Sequence, residues 1–459
     1  MTLIKSISGI RGTIGGKSGE GLSPLDVVKF TSAFGQWLKG RGHGRKVVIG
    51  RDARISGEMV NRLVVGSLQG LGLDVVDLGL STTPTVEMLV PELQAAGGII
   101  LTASHNPKQW NALKLLNEKG EFINGLDGAE VLAIAEDAAF EYAEVDQLGS
   151  YTQYADAIDW HIAKILELPL VDVETIKARG FVVAIDCVNS TGGIALPKLL
   201  KSLGVFQVHQ LYCEPNGHFP HNPEPLPEHL QEISELVRDA GADLGIVVDP
   251  DVDRLALVNE DGSMFGEEYT LVAVADYVLQ HQPGNTVSNL SSTRALQDVT
   301  EAHGQHYAAS AVGEVNVVEM MRETNAVIGG EGNGGIIYPS LHAGRDALLG
   351  IALFLTHLAK SGKSMSQLKA DYPPYHISKN KIELSAGMDV DGLLQRVQQA
   401  FEAAKINTID GVRIDFDREW VHLRKSNTEP IIRIYAESAD KKKADALAER
   451  MMTKIKDLV

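Results

Sequence analysis

The apolar periodicity of this chain alternates, and that restricts what it can fold into. Short β-branched runs alternate with longer segments whose apolar residues recur at helical spacing, the mark of an α/β protein. KVVIG (46–50) reads as a strand, and 56–72 as a helix with Ser56 as its cap and Gly72 as its stop. DVVDLGL (74–80) reads as a strand, 84–93 as a helix and GGIILT (97–102) as a strand. The plan repeats with a strand at 181–187, a helix at 192–204, a strand at 205–212, a helix at 228–240 and a strand at 244–249. A third round has helix 267–280, strand 285–290, helix 294–304, a further strand and helix, and strand 325–330. The last strand of each round runs into a loop of small or charged residues, and ligands gather at such strand ends in open α/β sheets. Beyond about residue 375, KNKIELS, GVRIDF, EWVHLR and IIRIYAES alternate like antiparallel strands, GMDVDG (387–392) reads as a turn, and a charged helix covers 440–457.

The expected architecture is therefore three similar mixed-sheet α/β domains and a smaller C-terminal α+β domain. Boundaries are expected at 1–150, 151–257, 258–372 and 373–459, with DYPPYH (371–376) as the last linker. A length of 459 residues suits three or four domains. The 42 Lys and Arg against 60 Asp and Glu give a net charge of −18, which excludes a surface that attracts nucleic acid. A small anionic ligand stays open, because local cations outweigh a distant net charge. Cys187 and Cys213 lack a CxxC partner and read as two small buried side chains in a reducing compartment, not a disulfide framework or zinc site. MTLIKSISGIRG contains no signal-peptide core, and no segment approaches the ~18 apolar residues of a membrane span. The expectation is a soluble, cytoplasmic protein.

Four loops carry candidate chemistry. In TASHNP, Ser104 follows a buried strand and reads as a nucleophile or phosphate carrier, or as a capped turn; adjacent Ser104 and His105 make no triad, since neighbouring side chains diverge. In DPDVDR, Asp249, Asp251 and Asp253 stand at i, i+2 and i+4, where carboxylates converge on a hard cation; the other reading is a solvated acidic turn. The EF-hand is rejected, since Arg254 occupies the position that needs Gly and both flanks read as strands. GEGNGG satisfies G-x-G-x-x-G, but the following IIYPS is strand-like where a dinucleotide fingerprint needs a helix. There Glu331 and Asn333 suit a polyol's hydroxyls, with a plain turn as the alternative. RKSNTEP, with Arg433 beyond it, gathers cations, hydroxyls and an amide suited to a dianionic phosphate, or is a solvated charged turn. A near-miss P-loop at 12–17 is one residue short.

In this order, TASHNP, DPDVDR, GEGNGG and RKSNTEP resemble the α-D-phosphohexomutase family, most of all its phosphoglucosamine mutase and phosphoglucomutase/phosphomannomutase branches. The resemblance implies the four domains arranged around a central cleft and reversible phosphate transfer between C1 and C6 of a hexose through a hexose 1,6-bisphosphate. It implies that Ser104 is phosphorylated and that Ser104, Asp249, Asp251 and Asp253 hold Mg²⁺. It places Arg11 and Arg254 near the phosphoserine and gives Lys114 a role in proton movement. Glu331 and Asn333 would read sugar hydroxyls. Arg424, Ser426, Asn427, Thr428 and Arg433 would grip the phosphate that is not reacting.

The chain departs from the family pattern in three places. Many members end the sugar loop in Ser-Gly-His, where this chain has Asn333-Gly334-Gly335; His105, His218 or His342 would have to compensate, although the last two read as lone surface histidines. Ala112 replaces a Gly, and Pro250 stiffens the acidic turn without removing a ligand. RKSNTEP and SGIRG lean towards glucosamine phosphate as substrate, with glucose or mannose phosphate as the alternative. A catalytically silent sugar-phosphate-binding protein is the reading from another class, and a simple phosphatase a further one. The partner implied is a small sugar phosphate, bound by a monomer or homodimer.

Overall fold

The computed structural model describes residues 2–6, 9–383, 389–401, 404–425 and 431–458. The chain forms two compact units, one of Met1–Thr270 with Asn333–Ser366 and one of Leu271–Gly332 with Gln367–Val459.

The first unit contains a seven-stranded mixed sheet. Its parallel centre is Asp74–Leu80, Lys46–Arg51 and Gly97–Leu101, with Tyr151–Gln153 on one edge. Trp110–Leu116 runs antiparallel beside Gly97–Leu101 and leads to Gly9–Thr13 and Leu3–Ser6. All five residues of Gly97–Leu101 are buried, as in a strand covered on both faces. The helix Pro24–Arg41, which the periodicity did not flag, is opened by a reciprocal cap between Ser23 and Asp26. It packs Phe30, Phe34 and Leu38 against Val47, Ile49, Ile99 and Leu101. Each such burial is worth about 1.5–3 kcal/mol, so packing rather than capping holds the helix to the sheet. The next helix, Gly57–Gly70, corrects one expectation. Ser56 occupies the cap position but has helical dihedrals, and its hydroxyl accepts from Asn111 Nδ2 at 2.9 Å instead. Gly72, with φ +79°, does stop the helix.

A second sheet in this unit orders Leu255–Asn259, Leu244–Val248, Val182–Asp186 and Gln207–Leu211, the first pair antiparallel and the others parallel. Cys187 and Cys213 are free thiols at the ends of the last two strands, with their sulfurs 3.4 Å apart.

In the second unit, Tyr307–Ser310, Asn285–Asn289 and Ala326–Glu331 are parallel neighbours. An antiparallel sheet of His376–Glu383, Ile431–Ser438, Trp420–Lys425, Val412–Asp415 and Lys405–Asn407 forms the C-terminal α+β part. Leu393 and Val397 of Val390–Ala400 and Leu447 and Met451 of Lys441–Leu458 pack with Ile432 and Ile434. The turn expected at 387–392 is instead, from Asp389 on, a helix start. Asp389 caps Val390–Ala400 by accepting from the Gly392 amide at 2.9 Å. The fold class is as the alternation implied: mixed-sheet α/β followed by a smaller α+β domain.

Glu437 ties this sheet to Asn285–Asn289 and its following turn. Its Oε1 accepts from Trp420 Nε1 at 2.6 Å and from the Arg294 amide at 2.9 Å. Burial pushes its carboxyl up to about 7 from an ordinary 4.5. A folded-state value above the unfolded one gives stability that is complete below the unfolded value and is lost as pH rises through the folded one. Glu437→Gln is therefore expected to flatten the decline in urea midpoint between pH 5 and pH 8. An unchanged decline would contradict this account.

Candidate active site

Ser104 leaves the strand Gly97–Leu101 with φ +48°, a left-handed conformation that a non-glycine residue keeps only under support. One buried arginine provides much of it. Arg54 donates from Nη1 to the carbonyls of Pro107 (2.9 Å) and Trp110 (3.0 Å), and from Nη2 to those of Asn106 (2.8 Å) and Ser104. Its Nε donates to Asp52 Oδ2 at 2.9 Å. Asp52 also accepts from Thr102 Oγ1 at 2.7 Å, and that oxygen accepts the Ser104 amide at 2.9 Å.

The Ser104 hydroxyl thereby reaches the second sheet and donates to Asp249 Oδ2 at 2.8 Å. It also lies 3.4 Å from His105 Nδ1, so the neighbouring side chains do not diverge as expected; the positive φ sets them on one side. Burial, then Arg254, pushes His105 well below the usual 6.5, so the imidazole is neutral at neutral pH.

Asp249, Asp251 and Asp253 follow Leu244–Val248, and all three are 0% exposed, which excludes the solvated-turn reading. Asp249 Oδ1 accepts the amides of Asp253 (3.1 Å) and Arg254 (3.2 Å), which curls the loop back on itself. Val252 takes up the curl with φ +62°. The Pro250 carbonyl accepts the hydroxyls of Ser190 (2.7 Å) and Thr191 (2.9 Å). On Asp251, Oδ2 accepts from Thr83 Oγ1 at 2.6 Å and Lys114 Nζ at 2.7 Å. On Asp253, Oδ2 accepts from Arg345 Nη2 at 2.7 Å, with Lys114 Nζ at 3.7 Å. The other oxygens, Asp251 Oδ1 and Asp253 Oδ1, are buried with no hydrogen-bond partner.

One oxygen from each aspartate lies within 4.8 Å of the others. Burial, then Asp253 and Asp251, pushes Asp249 well above the carboxylate range. For Asp251 burial acts the same way, but Lys114 outweighs it and holds the carboxyl low. Lys114 is raised above 10.5, because Asp251 and Asp253 outweigh a burial that alone would lower it. Lys114 is thus a cation here and a donor rather than a base. Three buried carboxyl groups that leave two oxygens without a hydrogen-bond partner present an all-oxygen donor set that fits Mg²⁺.

Arg11 stands opposite Ala112 on Gly9–Thr13; burial, then Arg254, lowers its pKa. Arg254 approaches Asp253 Oδ1 at 3.9 Å and Glu224 Oε1 at 3.8 Å, and its buried Nε has no hydrogen-bond partner. Two repelling guanidiniums are a poor arrangement without an anion. His342 is not a lone surface residue: it meets Asp346 at 3.3 Å, which also meets His161 at 2.9 Å. His218 is exposed as expected.

Asn333 belongs to the first unit and accepts the Gly335 amide at 3.2 Å. Glu331 belongs to the second, where its Oε1 accepts from Asn289 Nδ2 at 2.8 Å and the Gly313 amide at 3.0 Å. Arg424 stands directly across from Arg433, which is across from Lys381, so three cations form one row over three strands. Asp410 accepts from Arg424 at 3.1 Å. Like charges in such a row repel, which favours an anion there. Ser426, Asn427 and Thr428 lie outside the described residues.

Arg54, Thr83, Arg345 and Lys381 were not anticipated. For Arg54 a signal existed: Asp52 and Arg54 follow the strand KVVIG as directly as the acidic loop follows its own strand. Removing one partner of a buried ion pair costs about 3–5 kcal/mol. Arg54→Ala should therefore lower unfolding free energy by about that amount in a urea titration, and Arg54→Lys by less. A loss near zero would remove Arg54 as the support of the Ser104 loop.

Strand-end loops set a left-handed serine against three buried carboxyl groups whose oxygens suit a divalent cation, all within an α/β fold. Domain profiles described as phosphoglucomutase/phosphomannomutase alpha/beta/alpha domains I, II and III match residues 3–141, 159–262 and 266–375, and the C-terminal domain profile matches 381–454. The chain belongs to the phosphoglucomutase/phosphomannomutase family and is a phosphohexomutase. It is 37% identical over 442 residues to the phosphoglucomutase/phosphomannomutase of Thermococcus kodakarensis, covering 94% of this chain and 95% of the relative. It is 32% identical over 450 residues to the probable phosphoglucosamine mutase of Methanopyrus kandleri, covering 97% and 96%. A solved phosphoglucomutase/phosphomannomutase family protein from Burkholderia thailandensis superposes with a TM-score of 0.86 at 26% identity, covering 99% of this chain and 97% of that one.

Proposed function

We propose that this phosphohexomutase interconverts glucosamine 6-phosphate and glucosamine 1-phosphate through a phosphoserine at Ser104 and a 1,6-bisphosphate. The observation that carries the chemistry is the Ser104 hydroxyl on Asp249, beside two carboxylates whose remaining oxygens have no hydrogen-bond partner. A sugar-phosphate-binding protein without turnover has no use for that arrangement, which argues against the silent reading. The sugar preference rests on the loops RKSNTEP and SGIRG and on the relative from Methanopyrus; glucose or mannose phosphate is the alternative.

Asp249, Asp251 and Asp253 are the residues assigned to Mg²⁺, with Ser104 completing the set. Bound there, the cation supplies positive charge against the carboxylates and the phosphoryl oxygens. Arg11 and Arg254 are assigned to the phosphoryl group during transfer, where fixed cations stabilise spreading negative charge. In the forward step a sugar hydroxyl attacks the phosphorus, the new O–P bond forms, and the bond to Ser104 Oγ breaks. The proton of the attacking hydroxyl passes to a base, and Lys114, a charged donor as it stands, gives a proton to the departing serine oxygen and is recharged from that base. Neutral His105, 3.4 Å from Ser104 Oγ, is assigned as the base that takes the attacking hydroxyl's proton. Glu331 and Asn333 are assigned to sugar hydroxyls. Arg424 and Arg433, with Ser426, Asn427 and Thr428, are assigned to the phosphate at the other end.

The reading includes domain boundaries at 150, 257 and 372, a cytoplasmic monomer or homodimer, and no nucleic-acid partner. No helix of the described residues is long and apolar enough to cross a membrane.

Incubation with glucose 1,6-bisphosphate is expected to add one phosphate to the intact mass of the parent and none to Ser104→Ala. That variant should lose at least about a thousandfold in kcat, as removal of a nucleophile does. Chelation should abolish turnover, and Mg²⁺ restore it. Comparison of kcat/KM on glucosamine, glucose and mannose 6-phosphates decides the sugar, and a large preference for mannose would reject the first choice. Free phosphate as the main product would make the protein a phosphatase.

A further inference from the structure

We propose that Gly335 and Arg345 work as one device. Gly335 leaves the space through which Arg345 reaches Asp253, making Arg345 a positioning residue for the divalent-cation site.

The steric evidence is direct. A β-carbon built on Gly335 would stand 2.4 Å from Arg345 Cδ and 3.0 Å from its Cγ. Real β-carbons do not approach other atoms that closely, so any side chain at 335 displaces the arginine stem. The backbone at 335 lies outside the positive-φ set, so the glycine is not there for conformational freedom. Asn333 fixes this turn through the Gly335 amide, and the Gly334 carbonyl accepts the Leu255 amide at 3.1 Å. The loop therefore cannot easily move aside.

Through that space Arg345, 8% exposed, donates to Asp253 Oδ2 at 2.7 Å. Among the described residues, the other cation within 4 Å of that oxygen is Lys114 at 3.7 Å, whose closer bond is to Asp251. Arg345 thus turns the carboxylate so that Oδ1, which has no hydrogen-bond partner, is left for a cation. Its charge also bears on His105 and Lys114, placing it in the same electrostatic environment as the reacting serine. The chain departs from the family at Gly335, and the departure has this steric counterpart. An arginine, unlike an imidazole, keeps its charge at every working pH.

The inference rests on the assignment of a divalent cation to the aspartates, but not on the sugar or on turnover. The test is a double-variant cycle read by direct Mn²⁺ and Mg²⁺ titration calorimetry on the full chain without substrate. Loss of a partner that orients a metal ligand typically weakens metal binding about 10–100-fold. Arg345→Ala is expected to weaken binding by that factor, and Gly335→Ala by several-fold in the parent. In the Arg345→Ala background, Gly335→Ala should change binding less than twofold, since the stem it displaces is gone. Arg345→Lys should recover part of the affinity. Arg345→Ser, which also lacks the stem, replaces Arg345→Ala in the cycle if circular dichroism shows the alanine variant unfolded. Unchanged affinity in Gly335→Ala, or losses that simply add, would overturn the proposal. A parent that binds no divalent cation would instead reject the metal assignment, while phosphorylation of Ser104 tests the mutase reading separately.

Discussion

The acidic turn sets the terms for everything around it in the first unit. Three carboxylates without exposure, with oxygens within 4.8 Å of each other, repel by about 3.5 kcal/mol or more per pair at an interior dielectric near 20. Lys114 and Arg345 offset part of this, Thr83 and the curled backbone amides a little more. Two oxygens are still left without a hydrogen-bond partner. Such a cluster is tolerated where a further cation completes it, and the fold holds its other members ready for that. The result is a site whose local charge is unrelated to the chain's −18.

Anchoring that turn takes contributions from distant parts of the chain. Ser190 and Thr191 hold the Pro250 carbonyl, the helix Thr83–Glu92 presents Thr83, the strand Trp110–Leu116 presents Lys114, and Arg345 arrives from beyond residue 332. Ser104 is held by a separate device, the Arg54 clamp on four carbonyls of its own loop. Backbone strain at Ser104 and Val252 marks the two places where these systems meet. A strained residue persists when its surroundings over-determine it, and here each has bonds on both sides.

Much of this was legible without coordinates. Carboxylates at alternating positions after an apolar strand point to a cation, and the same strand-end logic flags Ser104. GRDAR, which places Asp52 and Arg54 directly after a strand, carries the same cue. Arg345 gave no cue at all, because its partner is 92 positions away and its path is defined by an absent side chain. His105 was misjudged for a related reason: whether neighbouring side chains diverge depends on φ, and φ at Ser104 is fixed by Arg54.

The sequence by itself determined the element types, the fold class and the chemical character of each loop. Periodicity and residue type are local properties, and local physics reads them. Only the tertiary structure decided which oxygen of each aspartate is engaged and which is left open, that Lys114 is held as a cation, and that Gly335 makes room for Arg345. Those outcomes depend on distances between residues far apart in the chain, and electrostatic and steric energies follow distance in space rather than separation in sequence.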